Sequence, residues 1–497
     1  MIRSYLWNRE ITRDREWRTI WHFLLVALLI ALLLGGVLIA LLLGGKFGHP
    51  GLYVVGGIIG LFFMTIIIIL RQDELAVVFI IAVHLYVDWY LGQYYIALIT
   101  TLALLIIFYA ARSPRHRWAK PPALWLWGLF LVLTIAPAIQ GAAYQGAAAA
   151  SLDEAGFYYP NLIFGALIFF WLGTVIALDD VAVRRLFKLL AGFGTLIAVH
   201  TIIQETTGTF LFATSSHDAL LASVSDYQIG VDGAHRAGSF FVDPNWNGAF
   251  FATMLFISLG LFAESSSFLG KALYLAEAFL MLPALLFTYS NGSWVSAAAS
   301  FIIFVLFVGR ARYRVLLPLF VGVAAIVLVV FFPSQVALQL QHAAAPNELS
   351  LRVGVWQTAI RVIRAFPLAG VGLSHYIYQD VANPYRVPAQ YVPEDHPHDS
   401  YLEWGAMAGL PVLLVFVALL LFALWLAIRN WALADIRTRS LLGGGIAAVM
   451  ALSINSVSIN GWTLPPLAAL GWLILGAIAS PLLRKSRYHE VIKKKIS

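Results

Sequence analysis

The sequence contains no cysteine, which excludes disulfide bonds, thiol catalysis and cysteine metal sites. It is also poor in charge, because charged residues make up only 11% of its 497 residues. Hydrophobic residues make up 61%, and the mean hydropathy is +0.84. Soluble domains of this length are not so apolar, and the composition therefore indicates an all-α polytopic membrane protein that contacts the lipid bilayer. The net charge of +7 is typical of cytoplasmic lysine and arginine in such proteins, and it does not indicate binding to nucleic acid.

Apolar runs of about 20 residues predict about 14 transmembrane helices. The predicted spans are 21–45, 51–70, 74–91, 93–111, 122–139, 160–178, 186–204, 245–263, 272–289, 293–309, 314–332, 401–427, 440–458 and 463–482. The first run is too long for the core of a signal peptide, and we expect it to be an uncleaved helix. An even number of spans places both termini on one side of the membrane.

Basic residues test this topology. All but six of the 32 lie in segments on the side of the two termini, which the positive-inside rule makes cytoplasmic. The outer six are Lys46, Arg236, Arg352, Arg361, Arg364 and Arg386. Five of these lie in two long loops, 205–245 and 333–400, which we expect to be periplasmic. Loops of this length in a compact bundle are usually functional or disordered.

From these spans and loops we expect three parts along the chain. Residues 1–204 form an N-terminal transmembrane bundle, and residues 205–482 form a catalytic transmembrane region that includes both loops. Residues 483–497 form a basic cytoplasmic tail.

In the first loop, Arg236 lies among glycines and small residues, so a ligand could approach the backbone closely. Asp243 precedes Pro244 and is the expected cap of the helix that follows. The alternative for Arg236 is a simple ion pair with Asp232 or Asp243.

In the second loop, residues 347–366 are amphipathic and end at Pro367. This pattern predicts a helix along the membrane surface or across the end of the bundle. Arg352 and Trp356 are four residues apart on it, a spacing at which the guanidinium could stack on the indole.

Residues 394–404 are the most polar stretch of the chain, and they lead directly into a predicted span. The stretch contains Glu394, Asp395, His396, His398, Asp399 and Glu403. Charged groups at the mouth of a span are costly and are usually functional. A zinc or manganese site built from these side chains is the chief alternative, and a solvated loop end is the other.

Arginines brought together suit a phosphate or pyrophosphate, because the planar guanidinium binds its oxygens in pairs. A nearby histidine titrates near neutral pH and can accept a proton from a hydroxyl. Outside the membrane, this combination suggests transfer from a lipid-linked phosphate to a hydroxyl, with arginines in place of a metal. We expect His398 at the wall of this site, with Asp399 and Glu403 as orienting partners.

Three segments together resemble the O-antigen ligase and polymerase superfamily of bacterial envelope glycan enzymes. They are Arg236-Ala237-Gly238-Ser239-Phe240 with Asp243-Pro244-Asn245, Arg352-Val353-Gly354-Val355-Trp356 with Pro367-Leu368-Ala369-Gly370-Val371-Gly372, and His398-Asp399-Ser400-Tyr401-Leu402-Glu403-Trp404 with Gly409-Leu410. The sequence departs from the family pattern at Asn291, where an arginine is common, at Asp399, where asparagine is usual, and by the second imidazole of His396.

The resemblance implies a GT-C-type glycosyltransferase in the bacterial inner membrane, with a periplasmic active site and no cofactor. It would take a glycan from undecaprenyl pyrophosphate, without a metal and with inversion at the anomeric carbon. By this similarity, Arg236 and Arg352 grip the pyrophosphate and His398 activates the acceptor hydroxyl. We expect the substrate-binding residues to be Asn245, Trp356, His396, Asp399, Tyr401 and Glu403.

The acceptor is open: a ligase would use lipid A core, a polymerase a second lipid-linked glycan, and a protein O-oligosaccharyltransferase a protein hydroxyl. A transporter of lipid-linked glycan is the alternative from another class. It would use His84 and Asp88, which share a face of the third span, as a proton relay, and it would show internal repeats. No convincing repeat is present.

Overall fold

The structure is a computed structural model, and it describes residues 73–91, 107, 119–143, 158–208, 236–241, 243–309, 311–344, 346–387 and 396–484. The chain divides into two compact units after Ala76. Apart from the first four residues of α1, the elements below belong to the second unit.

All regular secondary structure in the described residues is helical. The helices are α1 (Asp73–Leu91), α2 (Leu124–Ala143), α3 (Tyr159–Ile176), α4 (Asp180–Thr207), α5 (Pro244–Glu264), α6 (Phe268–Leu286), α7 (Asn291–Phe307), α8 (Ala311–Phe331), α9 (Pro333–Ala344), α10 (Pro346–Ala365), α11 (His375–Ala382), α12 (Ser400–Ala408), α13 (Leu410–Ala432), α14 (Ile436–Asn455) and α15 (Pro465–Ala479). Short 3₁₀ turns cover Ser239–Phe241 and Asn383–Tyr385.

The core lies around α5 and α15, in which nearly every residue is buried. Glycines let their partner helices approach closely. A Cβ on Gly476 of α15 would collide with the Phe170 carbonyl of α3, and one on Gly444 of α14 would collide with Phe256 and Gly260 of α5. Helices at this separation gain dense van der Waals contact, which drives helix association within a bilayer.

Other helices expose apolar side chains to the surroundings. On α8, Val315 and Phe331 are each more than 70% exposed, as expected for a helix that faces lipid. Seven described helices are long and apolar enough to cross a membrane: α2, α3, α4, α5, α6, α13 and the stretch Pro465–Arg484 that contains α15. The pair α8 and α9, bent by 106°, adds an eighth if it counts as one span, and α7 is a shorter apolar helix. The protein is therefore a polytopic helical membrane protein.

The total of about 14 spans stays a prediction. The predicted spans 21–45 and 51–70 lie outside the described residues, as does almost all of 93–111. Within the described part, each remaining predicted span coincides with helix.

One predicted span, 401–427, was wrong as a single helix. The chain forms α12 and α13 with a break at Gly409, whose φ is +87°. The backbone of Leu368 and Ala369 lies against Gly409, and the Leu410 amide donates to the Pro367 carbonyl at 2.8 Å. A side chain at position 409 has no room, so the helix breaks and the turn after α10 packs into the gap.

Much of the second predicted loop is helical. The bend before Pro333 turns α9 away from α8. Helix α10 then covers the predicted amphipathic segment and ends before Pro367, which confirms that prediction. It buries Val355, Ala359 and Val362 and packs on α12. The periplasmic position of this region remains an expectation.

Candidate functional site

Arg236 is held at the break between α6 and α7. Its Nε donates to the Thr288 carbonyl at 2.9 Å, and its Nη2 donates to Asn245 Oδ1 at 2.7 Å. The break itself is irregular, since Tyr289 has a φ of +48°. Two hydrogen bonds from different nitrogens fix the plane of the guanidinium. A guanidinium that binds a ligand with two parallel N–H groups needs such a fixed plane.

Among the contacts of the described residues, the carboxylate of Asp243 does not form the ion pair with Arg236 that was the alternative. Asp243 Oδ1 accepts from the Asn245 amide at 2.7 Å and caps α5, which confirms the predicted cap. Asp232, the other expected partner, lies outside the described residues. Asn245 orients Arg236 through this bond, and its contact with substrate stays a prediction.

The segment between α14 and α15 connects the Arg236 region to the polar stretch. Trp246 Nε1 donates to Asn460 Oδ1 at 2.8 Å. One residue earlier, the Ile459 carbonyl accepts from the Ser400 amide at 3.2 Å, and the Trp462 amide donates to Ser400 Oγ at 2.9 Å. The start of α5 and the start of α12 therefore share one connecting segment and lie at the same end of the bundle. Sequence reasoning missed this segment, since it is only a short connection between two predicted spans, 440–458 and 463–482.

Asp399 is the cap of α12. Its Oδ1 accepts from the amides of Tyr401 and Leu402 at 2.8 and 3.0 Å. The carboxyl is 5% exposed. Burial raises its pKa to about 7 and the charge of Glu403 adds to the rise, while the two amide bonds oppose it. Asp399 Oδ1 is engaged by the helix start, and the expectation that the carboxylate orients His398 stays a prediction. Tyr401 also has a structural bond, from its hydroxyl to the Ser453 carbonyl at 2.9 Å.

His398 has a φ of +51°, a left-handed conformation that costs a residue with a side chain about 1–3 kcal/mol. The turn places its ring 4.0 Å from that of His396, centroid to centroid. The His396 ring lies 5.1 Å from a third imidazole, that of His375. Strain of this kind is typical of functional sites, and here it occurs beside a cluster of three imidazole rings.

Glu403 lies beside the His375 ring, and it is only 1% exposed. Its Oε1 accepts from the Tyr159 hydroxyl at 2.9 Å and lies 3.2 Å from His375 Nε2. Its Oε2 accepts from Thr463 Oγ1 at 2.8 Å. The Tyr159 hydroxyl oxygen is also 2.9 Å from His375 Nε2. Glu403 therefore contacts His375, and the expectation that it orients His398 stays a prediction.

A docked turn places His375. The amides of Val371 and Gly372 donate to the carbonyls of Ala406 and Met407 in α12, at 3.0 Å each. The Leu373 amide donates at 3.1 Å to the carbonyl of Pro137, a proline inside α2. Sequence reasoning found the glycine turn but not His375, which lies three residues after Gly372. Its position after a turn in a predicted outer loop was the available signal.

Arg352 is half-buried on α10, and its Nη1 is buried without a hydrogen-bond partner in the described part of the chain. The indole nitrogen of Trp356 is likewise buried without a hydrogen-bond partner among the described residues. The expected stack between the two is absent, because the described arginine–indole stacks are Arg429 on Trp425 and Arg439 on Trp431. A buried donor without an acceptor is costly, and a bound anion would satisfy it. No hydrogen bond among the described residues joins Arg352 to the Arg236 group.

Two further predicted features have outcomes. Asn291, where the family often has arginine, accepts from Gln339 Nε2 at 2.6 Å and ties α7 to α9. For the metal alternative, Glu394 and Asp395 lie outside the described residues. Among the residues that are described, no cluster of three or more His, Asp or Glu side chains has a metal-binding arrangement.

Comparison with known proteins bears on this geometry. Residues 276–417 match the family model described as O-Antigen ligase, and no curated protein matches the chain. The matched region contains Arg352, His375, His398 and Glu403, whereas Arg236 lies before it. Members of this family are glycosyltransferase-like ligases and polymerases. The resemblance read from the motifs is therefore confirmed: the chain contains, at residues 276–417, a domain of the O-antigen ligase and polymerase superfamily.

Proposed function

We propose that the protein transfers a glycan from undecaprenyl pyrophosphate to an acceptor hydroxyl at the periplasmic leaflet of the bacterial inner membrane. The observation that carries the proposal is the O-antigen ligase domain, with a strained histidine, His398, at the start of α12. Membership of this family implies that the substrates are a lipid-linked glycan and an acceptor.

The arginines act on the leaving group. The fixed guanidinium of Arg236 and the buried Nη1 of Arg352 would bind pyrophosphate oxygens and stabilise the charge that develops as the glycan leaves. Negative charge grows on the pyrophosphate in the transition state, so these contacts strengthen during the reaction and raise kcat.

The histidine acts on the acceptor. His398 would accept the hydroxyl proton while the acceptor oxygen forms a bond to the anomeric carbon. The bond from that carbon to the pyrophosphate oxygen breaks, and the pyrophosphate leaves with the electron pair. Attack opposite to the leaving group inverts the anomeric centre, and the arginines take the place of a metal.

The test uses purified protein with an undecaprenyl-pyrophosphate glycan and candidate acceptors. We expect transfer that persists with a chelator and falls by at least about 100-fold in His398→Ala, the usual scale for losing a general base. Undiminished transfer by His398→Ala would contradict the assignment of His398 as the general base. The product identifies the acceptor: a glycan on lipid A core, a lengthened lipid-linked glycan or a glycoprotein.

A further inference from the structure

Helices α13 and α15 both run from the candidate site to the other end of the bundle. Helix α13 follows α12, and Arg429 in its last turn is about 30 Å from its start. Helix α15 follows Thr463, which contacts Glu403, and the apolar stretch that contains this helix ends at Arg484. The two arginines therefore lie where two spans end, at the end of the bundle that we expect to be cytoplasmic.

The protein holds these two arginines near each other. Asn430 directly follows Arg429 in α13. Its Nδ2 donates to the carbonyls of Ile478 and Ser480, at 2.8 and 3.0 Å, and so ties the ends of α13 and α15 together. The charge of Arg429 repels that of Arg484. Because arginine is not deprotonated in proteins, this repulsion persists unless an anion offsets it.

Other arginines at this end are engaged by the protein itself. Arg184 of α4 pairs with Glu264 of α5 at 2.7 Å. Arg439 of α14 donates from Nε to the Ala434 carbonyl at 3.0 Å and from Nη2 to the Ala432 carbonyl at 2.9 Å. The second set of bonds satisfies carbonyls at the end of α13, which lack partners within the helix. These contacts account for Arg184 and Arg439 as parts of the fold.

Arg429 and Arg484 differ from them. Within the described part of the chain, neither side chain forms a hydrogen bond or an ion pair. Arg429 is exposed, and its guanidinium carbon lies 4.8 Å from the centroid of the Trp425 ring. This cation–π contact holds the guanidinium without supplying an acceptor for its N–H groups. Arg484 Nε is buried, and a buried donor without an acceptor is costly.

The surroundings of the pair are apolar. Trp425 is 48% exposed, and Leu421, one turn earlier on α13, is 61% exposed. In a bilayer such a face contacts acyl chains, and the end of the span that carries the tryptophan and the arginine lies at the level of the headgroups. The planar guanidinium binds phosphate oxygens in pairs, and basic pockets between spans bind anionic headgroups. A phospholipid supplies both the apolar chains and the phosphate that this position fits.

We propose that Arg429 and Arg484 bind the phosphate of an anionic phospholipid headgroup, whose acyl chains lie against the exposed face of α13. This lipid site is separate from the candidate site and does not depend on the proposed transfer reaction. A lipid bound to the folded protein alone would stabilise it, and it would do so by holding the ends of α13 and α15 together.

The test measures the binding of dioleoyl phosphatidylglycerol to the purified full-length protein in an uncharged detergent, by titration in native mass spectrometry. We expect Arg429→Gln and Arg484→Gln each to weaken the tightest binding step by about tenfold, the usual effect of losing a hydrogen bond to a charged group. Arg437→Gln is the matched control, because Arg437 is an exposed arginine near the start of α14, at the same end of the bundle. It should change the binding by less than about twofold.

Two other ligands identify the chemical class. Phosphatidylcholine carries the same phosphate but no net charge, so it should bind about tenfold more weakly than phosphatidylglycerol. Inorganic phosphate in excess should not displace the lipid, because it lacks the acyl chains. Equal binding of phosphatidylcholine would contradict an anionic headgroup as the ligand. Displacement by inorganic phosphate would indicate a site for free phosphate and overturn the lipid assignment.

Unchanged binding in both Arg429→Gln and Arg484→Gln would overturn the site itself. Equal weakening by Arg437→Gln would also overturn it, since that result indicates a general attraction of lipid to basic residues. If a glutamine variant does not fold, as judged by thermal unfolding, the lysine variant at that position replaces it. Lysine keeps the charge but not the planar fork, so we expect it to weaken binding by about threefold.

Discussion

Replacing Asp399 by asparagine is expected to stabilise the protein at alkaline pH. The side chain lies outside the spanning helices, at the start of α12, and is 5% exposed. An asparagine keeps the cap, because its amide oxygen can accept from the same two backbone amides. It removes the buried charge, whose desolvation raises the pKa of Asp399 from 3.8 to about 7.

The magnitude follows from linkage. A pKa that is higher in the folded state gives stability that is fully present below pH 4 and is lost as the pH rises through about 7. At about 1.4 kcal/mol per pH unit, the loss at pH 8 is about 4 kcal/mol at most. Relaxation and water penetration reduce such values, so we expect Asp399→Asn to gain about 1–3 kcal/mol at pH 8 and almost nothing at pH 4.

Thermal unfolding of the purified protein at several pH values measures this effect. Asp435→Asn is the matched control, since Asp435 caps α14 through the same two kinds of amide bond but is exposed. Asp435→Asn should not reproduce the gain in stability at pH 8, because an exposed carboxylate has no comparable desolvation cost. If Asp399→Asn destabilises the protein at pH 8, or shifts the midpoint equally at all pH values, the desolvation argument is refuted.

Three other substitutions follow from the structure. Arg352→Ala should reduce transfer by about 100-fold, measured as initial rate, whereas Arg361→Ala, an exposed arginine on the same helix, should change it by less than about threefold; equal losses would argue against a specific role for Arg352. Gly409→Ala should cost about 2 kcal/mol or more of stability in thermal unfolding, because an alanine there has a strained φ and collides with the Leu368 carbonyl; a neutral effect would contradict the account of the helix break. Asn460→Ala should cost about 1–2 kcal/mol, because it leaves the Trp246 indole N–H without its acceptor, and an unchanged midpoint would show that this bond does not hold the two helix starts together.

The sequence predicted the local features of this fold well. Asp243 as a helix cap and the amphipathic helix that ends before Pro367 both follow from short-range rules about helix termini and periodicity. These rules depend on residues within a few positions of each other, so they can be applied without knowledge of the tertiary structure.

The contacts of the candidate site could not be predicted in this way. Glu403 meets Tyr159 across 244 positions and His375 across 28, and neither separation follows a helical period. A tyrosine at the start of an apolar helix looks like packing until its partner is known. The motifs drew attention to His398, which lies just before α12, and its role stays a prediction. Chain proximity did not indicate that Glu403 contacts His375, which the docked turn at Gly372 brings to it.

The break at Gly409 links fold to site. Because α12 is separate from α13, its carbonyls near Ala406 and Met407 can pair with the turn that carries His375. A continuous helix from 401 to 427 would use those carbonyls internally. The interruption therefore both ends the apolar span and provides the attachment for the third imidazole.

The most direct test of the central claim counts glycosidic bonds in proteoliposomes that contain purified protein, an undecaprenyl-pyrophosphate glycan and acceptor. We expect one new glycosidic bond, inverted at the anomeric carbon, for each undecaprenyl pyrophosphate released. Movement of intact donor across the bilayer without bond formation would contradict it and favour a transporter.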